Sequence, residues 1–187
     1  MIPMKPLSLL ASSLLLLPPF VAHSADSSRL LDDFSDASPW RVIASTQVTG
    51  SIRADAGALC LDYDFNGVSG YVGMQRDVPL DYPDNYRFDL RLRGDSPAND
   101  LQFKLIDASG DNVWWVNRPK YAFPQDWTAV RYKRRMIGKA WGPGSDPALR
   151  TSAKLEFTLN NSAGGKGTVC FDDLRFTTLP ADVTTPR

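Results

Sequence analysis

The feature that most constrains the fold is a set of short stretches in which apolar and polar residues alternate. Apolar side chains occupy every second position in five segments, at 59–65, 88–92, 101–105, 130–132 and 155–159. A period of two places successive side chains on opposite faces of a β-strand. No long segment after Asp26 has a helical period. The pattern therefore predicts an all-β fold.

Turn-forming residues separate these segments throughout the chain. The sequence contains 14 prolines and 13 glycines, residues that favour tight turns between strands. Roughly eight or nine short strands at this spacing are typical of a β-sandwich. We predict a two-sheet antiparallel jelly roll over residues 26–178, followed by a flexible tail at 179–187 that is rich in Thr and Pro.

The N-terminus has the pattern of an export signal. Lys5 precedes an apolar run at 7–17, two prolines end the run, and small residues follow up to Ala25. This order indicates a cleavable signal peptide at 1–25. The run is too short for a good membrane span. We expect a secreted or periplasmic protein with no membrane partner.

Composition excludes several functions. The single histidine, His23, lies within the predicted signal peptide, so the mature chain has no histidine base, nucleophile pair or metal ligand. Glu156 is the only glutamate. The 21 basic and 21 acidic residues balance, which argues against a nucleic-acid partner. We expect no catalytic residue and no enzyme activity, and a carboxylate-only glycosidase or lyase is the less favoured alternative.

Two cysteines, Cys60 and Cys170, lie in predicted strands far apart in the sequence. An even pair in an oxidising compartment favours a disulfide. The alternative is two separate half-buried thiols. We predict the bond, which would close a long loop.

One hairpin decides which of two tryptophans faces outward. The turn 107–110 has Asp first and Gly fourth, which favours a type I turn with a glycine bulge. This register pairs Lys104 with Trp114 and places Trp114 on the polar face. A two-residue Ser109-Gly110 turn would instead exchange Trp114 and Trp115. The first register is preferred, with Trp115 and also Trp127 expected in the core.

Exposed aromatic rings among planar polar side chains suit the binding of sugars, which have apolar C–H faces edged by hydroxyl groups. The residues that combine these properties on the predicted polar faces are Trp114, Trp141, Arg91, Gln102, Lys104 and Asn160. We therefore predict a ligand site built from these six residues.

Acidic residues cluster near both ends of the predicted domain. The first and last strands of a jelly roll can lie side by side, so their carboxylates could share a hard cation that prefers oxygen ligands. The candidates are Asp33, Asp36, Asp172 and Asp173. A structural calcium ion is the one cofactor expected, and an exposed turn with a charged strand end is the alternative.

Several motifs resemble those of a known family. The segment 31–36, LDDFSD, resembles the L-x-D-F-E-D opening of galactose-binding-like jelly rolls, and 165–174 resembles their closing G-x-V-x-I-D-D-L strand. Over residues 30–178 the chain is similar to family 11-type carbohydrate-binding modules and to N-terminal modules of secreted bacterial glycoside-active proteins. The resemblance implies a structural calcium near the terminal strands and a glycan site on a concave sheet or on loops. Ser35 replaces the usual Glu, and the disulfide is not a family feature.

These observations lead to one preferred function and two alternatives. The preferred function is non-catalytic binding of a polysaccharide or oligosaccharide by an exported module. A structural domain that docks an envelope protein is the first alternative, and a carboxylate-only enzyme is the second. Exposed aromatic rings on a concave face would favour carbohydrate binding over the two alternatives.

Overall fold

The structure is a computed structural model that describes residues 27–181, so the predicted signal peptide and most of the predicted tail lie outside the described residues. Twelve strands form almost all of its regular structure. In chain order they are β1 (Ser27–Asp32), β2 (Arg41–Ala44), β3 (Thr49–Asp55), β4 (Ala58–Asp64), β5 (Tyr71–Asp81), β6 (Tyr86–Asp95), β7 (Asp100–Ile106), β8 (Val113–Arg118), β9 (Thr128–Lys133), β10 (Gly138–Trp141), β11 (Thr151–Asn160) and β12 (Lys166–Thr178). A 3₁₀ helix at Arg134–Met136 joins β9 to β10. Across 27–181 there is no helix with the length and apolar character needed to span a bilayer.

The strands form two six-stranded sheets in which every pairing is antiparallel. The first sheet has the order β3-β4-β12-β6-β9, and β1 also pairs with β12 beyond the end of β4. The second sheet has the order β10-β8-β7-β11-β5-β2. Connections that cross between the sheets give the predicted jelly-roll sandwich.

The alternating positions supply the core between the sheets, as the sequence predicts. Leu59, Leu61, Phe88, Leu92, Phe103 and Phe157 are among the fully buried side chains. The rings of Phe157 on β11 and Phe171 on β12 lie 4.5 Å apart, which joins one sheet to the other. Because inward residues alternate with outward ones, each sheet also presents a second, outer face.

The predicted disulfide is confirmed. Cys60 and Cys170 lie directly opposite each other on β4 and β12 and are bonded. Their side chains are on the outer face of the first sheet, where Arg53 and Arg93 are the next residues across the neighbouring strands. The bond links residues that are 110 positions apart.

Candidate functional site

The outer face of the second sheet carries a row of side chains that crosses five strands. The strand registers place Trp115, Lys104, Glu156, Gln75 and Arg41 side by side on β8, β7, β11, β5 and β2. They share this face because Leu105, Phe157 and Met74, their neighbours in sequence on β7, β11 and β5, point into the core. Lys104, Glu156 and Gln75 form the floor of an open groove with a volume of about 590 Å³, Trp115 lines its side, and Arg41 is not among the lining residues.

Hydrogen bonds hold the floor together. Lys104 Nζ donates to Glu156 Oε1 at 2.8 Å and to Thr158 Oγ1 at 3.1 Å. Thr158 Oγ1 donates to Glu156 Oε1 at 2.5 Å, and Gln75 Nε2 donates to Glu156 Oε2 at 2.6 Å. The side chains of Lys104 and Glu156 are only 10% and 6% exposed. The floor is therefore polar, balanced in charge and fixed in position.

Aromatic side chains form the walls of the groove. Trp141 is 49% exposed and Tyr71 is 41% exposed, and they are two of the three large apolar side chains that the described chain exposes to this degree. Both rings line the groove, together with Trp115, which meets Trp141 edge-on at 5.5 Å. Lys104 Nζ lies 5.7 Å from the Trp141 ring centre and 5.9 Å from that of Tyr71. The two exposed rings thus flank a single point on the polar floor.

The loop that follows Trp141 is held against the hairpin between β7 and β8. Gly142 has a φ of +123°, and a Cβ atom there would lie 2.4 Å from Asn112 Oδ1. Asn112 accepts a bond from the Gly144 backbone N–H at 2.9 Å and donates to Asp107 Oδ2 at 2.8 Å. Trp114 Nε1 donates to the Pro147 carbonyl oxygen at 2.8 Å. These contacts position the strand end that carries Trp141.

Comparison with known proteins yields matches in structure alone. The sequence matches no protein-family model and no curated protein. A family 11 carbohydrate-binding module from Clostridium thermocellum, in complex with a β-1,3-1,4-mixed-linked tetrasaccharide, is similar with a TM-score of 0.65 and 16% identity, over 80% of this chain and 94% of that one. The family 11 module of a cellulosomal cellulase of Clostridium thermocellum gives a TM-score of 0.63 and 16% identity, over 82% and 95%. The chain has the jelly-roll fold of carbohydrate-binding modules.

The same jelly roll also occurs within larger proteins. An exo-β-agarase is similar with a TM-score of 0.55 and 16% identity, over 82% of this chain but 26% of the agarase. Identities this low establish the fold and do not transfer binding residues. The ligand of this jelly roll must therefore be argued from its own groove.

The predicted register of the hairpin between β7 and β8 is wrong by one residue. Ile106 pairs with Val113, so Lys104 lies opposite Trp115 and not Trp114. The reason is local, because Asp107 Oδ1 accepts bonds from the backbone N–H groups of Gly110 and Asn112 and so stabilises a longer loop. Trp115 is consequently half-buried in the groove and not in the core. Trp114 is only 7% exposed and lies on the inner face of β8, where its indole N–H donates to Pro147 of the loop after Trp141.

The other predicted ligand residues divide between the two sheets. Gln102, Lys104, Asn160 and Trp141 all line the groove, so the structure brings these four together. Arg91 does not, because β6 belongs to the first sheet, where Arg91 pairs with Asp172 at 3.1 Å. Trp127 is also outside the core, half-buried on that sheet, with the guanidinium groups of Arg91 and Arg93 at 5.3 and 4.9 Å from its ring.

Two contributors on β5 were not among the ligand residues predicted from the sequence. Tyr71 and Gln75 share one strand face with Gly73, whereas Val72 and Met74 between them are buried. This alternation was available in the sequence and identifies both residues as outward-facing. Their position beside the groove depends on the pairing of β5 with β11, which sequence alone does not supply.

The four predicted calcium ligands have polar partners within the protein. The Asp33 and Asp36 carboxylates accept bonds from the backbone and hydroxyl groups of Ser35 and Ser38, respectively, and these bonds lower the pKa of each carboxyl. Asp172 forms an ion pair with Arg91, and Asp173 forms one with Arg175. Within 27–181 no three His, Cys, Asp or Glu side chains converge as metal ligands. The calcium ion stays a prediction.

Proposed function

We propose that this protein is an exported, non-catalytic module that binds an uncharged polysaccharide or oligosaccharide in the groove of the second sheet. The observation that carries the proposal is the pair of exposed rings, Trp141 and Tyr71, on either side of a polar floor. A pyranose ring stacks its C–H face on such a ring and turns its hydroxyl groups toward polar side chains. The fold is shared with modules whose structures include an oligosaccharide complex.

The floor favours a neutral ligand over an acidic or basic one. The charge of Lys104 is opposed by Glu156 at 2.8 Å, and both are nearly buried. Two N–H donors of Lys104 are directed to Glu156 and Thr158, which leaves its third donor for a hydroxyl group between the two rings. Gln102 and Asn160 add amide groups that both donate and accept.

The groove favours binding over hydrolysis. Hydrolysis of glycosides by carboxylates needs two such groups on either side of the bond. Among the described residues that line the groove, Glu156 is the only acidic one, and both of its oxygens accept hydrogen bonds from neighbours. This arrangement supports a structural role for Glu156 in the floor.

Affinity electrophoresis in gels that contain soluble polysaccharides tests the proposal. A mixed-linked β-glucan, a xyloglucan, agarose and dextran would be compared as neutral ligands. We expect at least one to retard the protein, with retardation lost in Trp141→Ala and in Tyr71→Ala. Trp127→Ala is the matched control, because it removes a half-buried ring from the opposite sheet. Absence of retardation by every neutral polysaccharide, or equal loss in the Trp127 variant, would contradict the proposal.

A further inference from the structure

A second cavity lies on the outer face of the first sheet and is strongly basic. It has a volume of about 250 Å³ and is lined by Asn85, Arg87, Arg131, Lys133, Arg134, Arg135 and Leu179. Of these described residues, five are cationic and none is acidic. The whole chain has equal numbers of acidic and basic residues, so this cavity is a local concentration of positive charge.

The strand pairing explains why the charges converge. Arg87 on β6 lies opposite Lys133 on β9, and Asp89 lies opposite Arg131. These residues point outward because the alternate positions, such as Phe88 and Tyr132, are buried in the core. The 3₁₀ helix at Arg134–Met136 begins directly after β9 and adds two more arginines at the same place.

Asp89 holds two of the guanidinium groups beside the cavity. Arg87 Nε and Arg131 Nε donate to its two oxygens at 2.7 and 2.6 Å. Partial burial acts to raise the pKa of Asp89, but the bonds from Arg131 and Arg87 outweigh it and keep the pKa below its ordinary value. One carboxylate is therefore shared by two arginines, and Lys133, Arg134 and Arg135 add further positive charge.

We propose that this basic cavity binds the sulfate or carboxylate groups of an anionic polysaccharide. Planar guanidinium groups make paired hydrogen bonds to such groups, and four of the five cations here are arginines. The described lining has one apolar side chain, Leu179, and no aromatic ring, whereas surfaces that insert into membranes combine their cations with a whole apolar face. That the polyanion is a polysaccharide rests on the proposed function. The cavity itself lies on the first sheet, whereas the groove lies on the second.

The test compares dextran sulfate with unsulfated dextran by affinity electrophoresis and calorimetry. The double variant Arg134→Gln/Arg135→Gln should lose about tenfold or more in affinity for dextran sulfate, and its binding should depend less on salt concentration. The control is Lys120→Gln/Lys166→Gln, which removes the same charge from exposed positions outside the cavity. It should bind dextran sulfate within about twofold of the unmodified protein, since affinity follows the local cluster and not net charge.

Three results would overturn the proposal. They are dextran sulfate binding that is unchanged in the Arg134/Arg135 variant, equal weakening in the lysine control, and capture by anionic phosphatidylglycerol vesicles without capture by dextran sulfate. Trp141→Ala separates this site from the groove, because it should retain binding to dextran sulfate. A protein that binds dextran sulfate but no neutral glycan would contradict the proposed groove function and leave this inference standing.

Discussion

The buried ion pair in the floor of the groove makes a quantitative prediction about stability. Lys104 Nζ and Glu156 Oε1 lie 2.8 Å apart, and both side chains are at least nine-tenths buried. At an effective dielectric constant of about 20, their attraction is about 6 kcal/mol before the loss of hydration is counted. Removing one partner leaves the other charge buried and unpaired. We therefore expect the free energy of unfolding to fall by about 3–5 kcal/mol.

Urea denaturation of four proteins measures this effect. Glu156→Gln and Lys104→Met should each lower the free energy of unfolding by about 3–5 kcal/mol. The double variant Lys104→Met/Glu156→Gln should recover much of the loss, because neither charge is then buried alone. Arg150→Gln serves as the control, since its ion pair with Asp146 is exposed and its removal should change little. Losses below about 1 kcal/mol in both single variants, or losses that add in the double variant, would refute the reasoning.

Four further predictions concern the disulfide, the loop and the metal. Cys60→Ser/Cys170→Ser should lower the free energy of unfolding by about 4–5 kcal/mol in urea denaturation, because the bond closes a loop between residues 110 positions apart. Gly142→Ala should weaken glycan retardation in affinity gels more than it lowers the melting temperature, since the added Cβ displaces the strand end that carries Trp141. Trp114→Phe should lose about 1 kcal/mol of stability in urea denaturation by removing the bond to Pro147, and unchanged stability would show that this bond does not hold the loop. If the predicted calcium ion binds, millimolar calcium should raise the melting temperature relative to excess chelator, and coincident curves would end that idea.

Local pattern was sufficient to predict the central strands and much of the core, but twelve strands form where roughly eight or nine were expected. Leu59, Leu61, Phe103 and Phe157 were identified as inward-facing by alternation, and each is buried. Alternation depends on the geometry of a single strand, so it is readable without knowing which strands are neighbours. The cysteine pair was also predictable, because a predicted export signal and an even count favour a bond irrespective of the exact topology.

The groove was predictable only in part, because its assembly depends on non-local pairing. Arg91 has the outward parity that the sequence indicates, but its strand lies in the other sheet. The exchange of Trp114 and Trp115 has a different origin, since it follows from hydrogen bonds of the Asp107 side chain that lengthen the turn by one residue. A shift of one residue reverses every side chain in a strand, so this small error moved the wrong tryptophan into the predicted site.

The most direct test of the central claim follows the indole N–H signals of the five tryptophans during an NMR titration. The titrant is the neutral oligosaccharide derived from the polysaccharide that best retards the protein. We predict saturable shifts for Trp115 and Trp141, which line the groove, with the signals of Trp40 and Trp127 unchanged. Shifts at Trp127 without shifts at Trp141, or no saturable shift in any tryptophan, would contradict the assignment of the groove as the carbohydrate site.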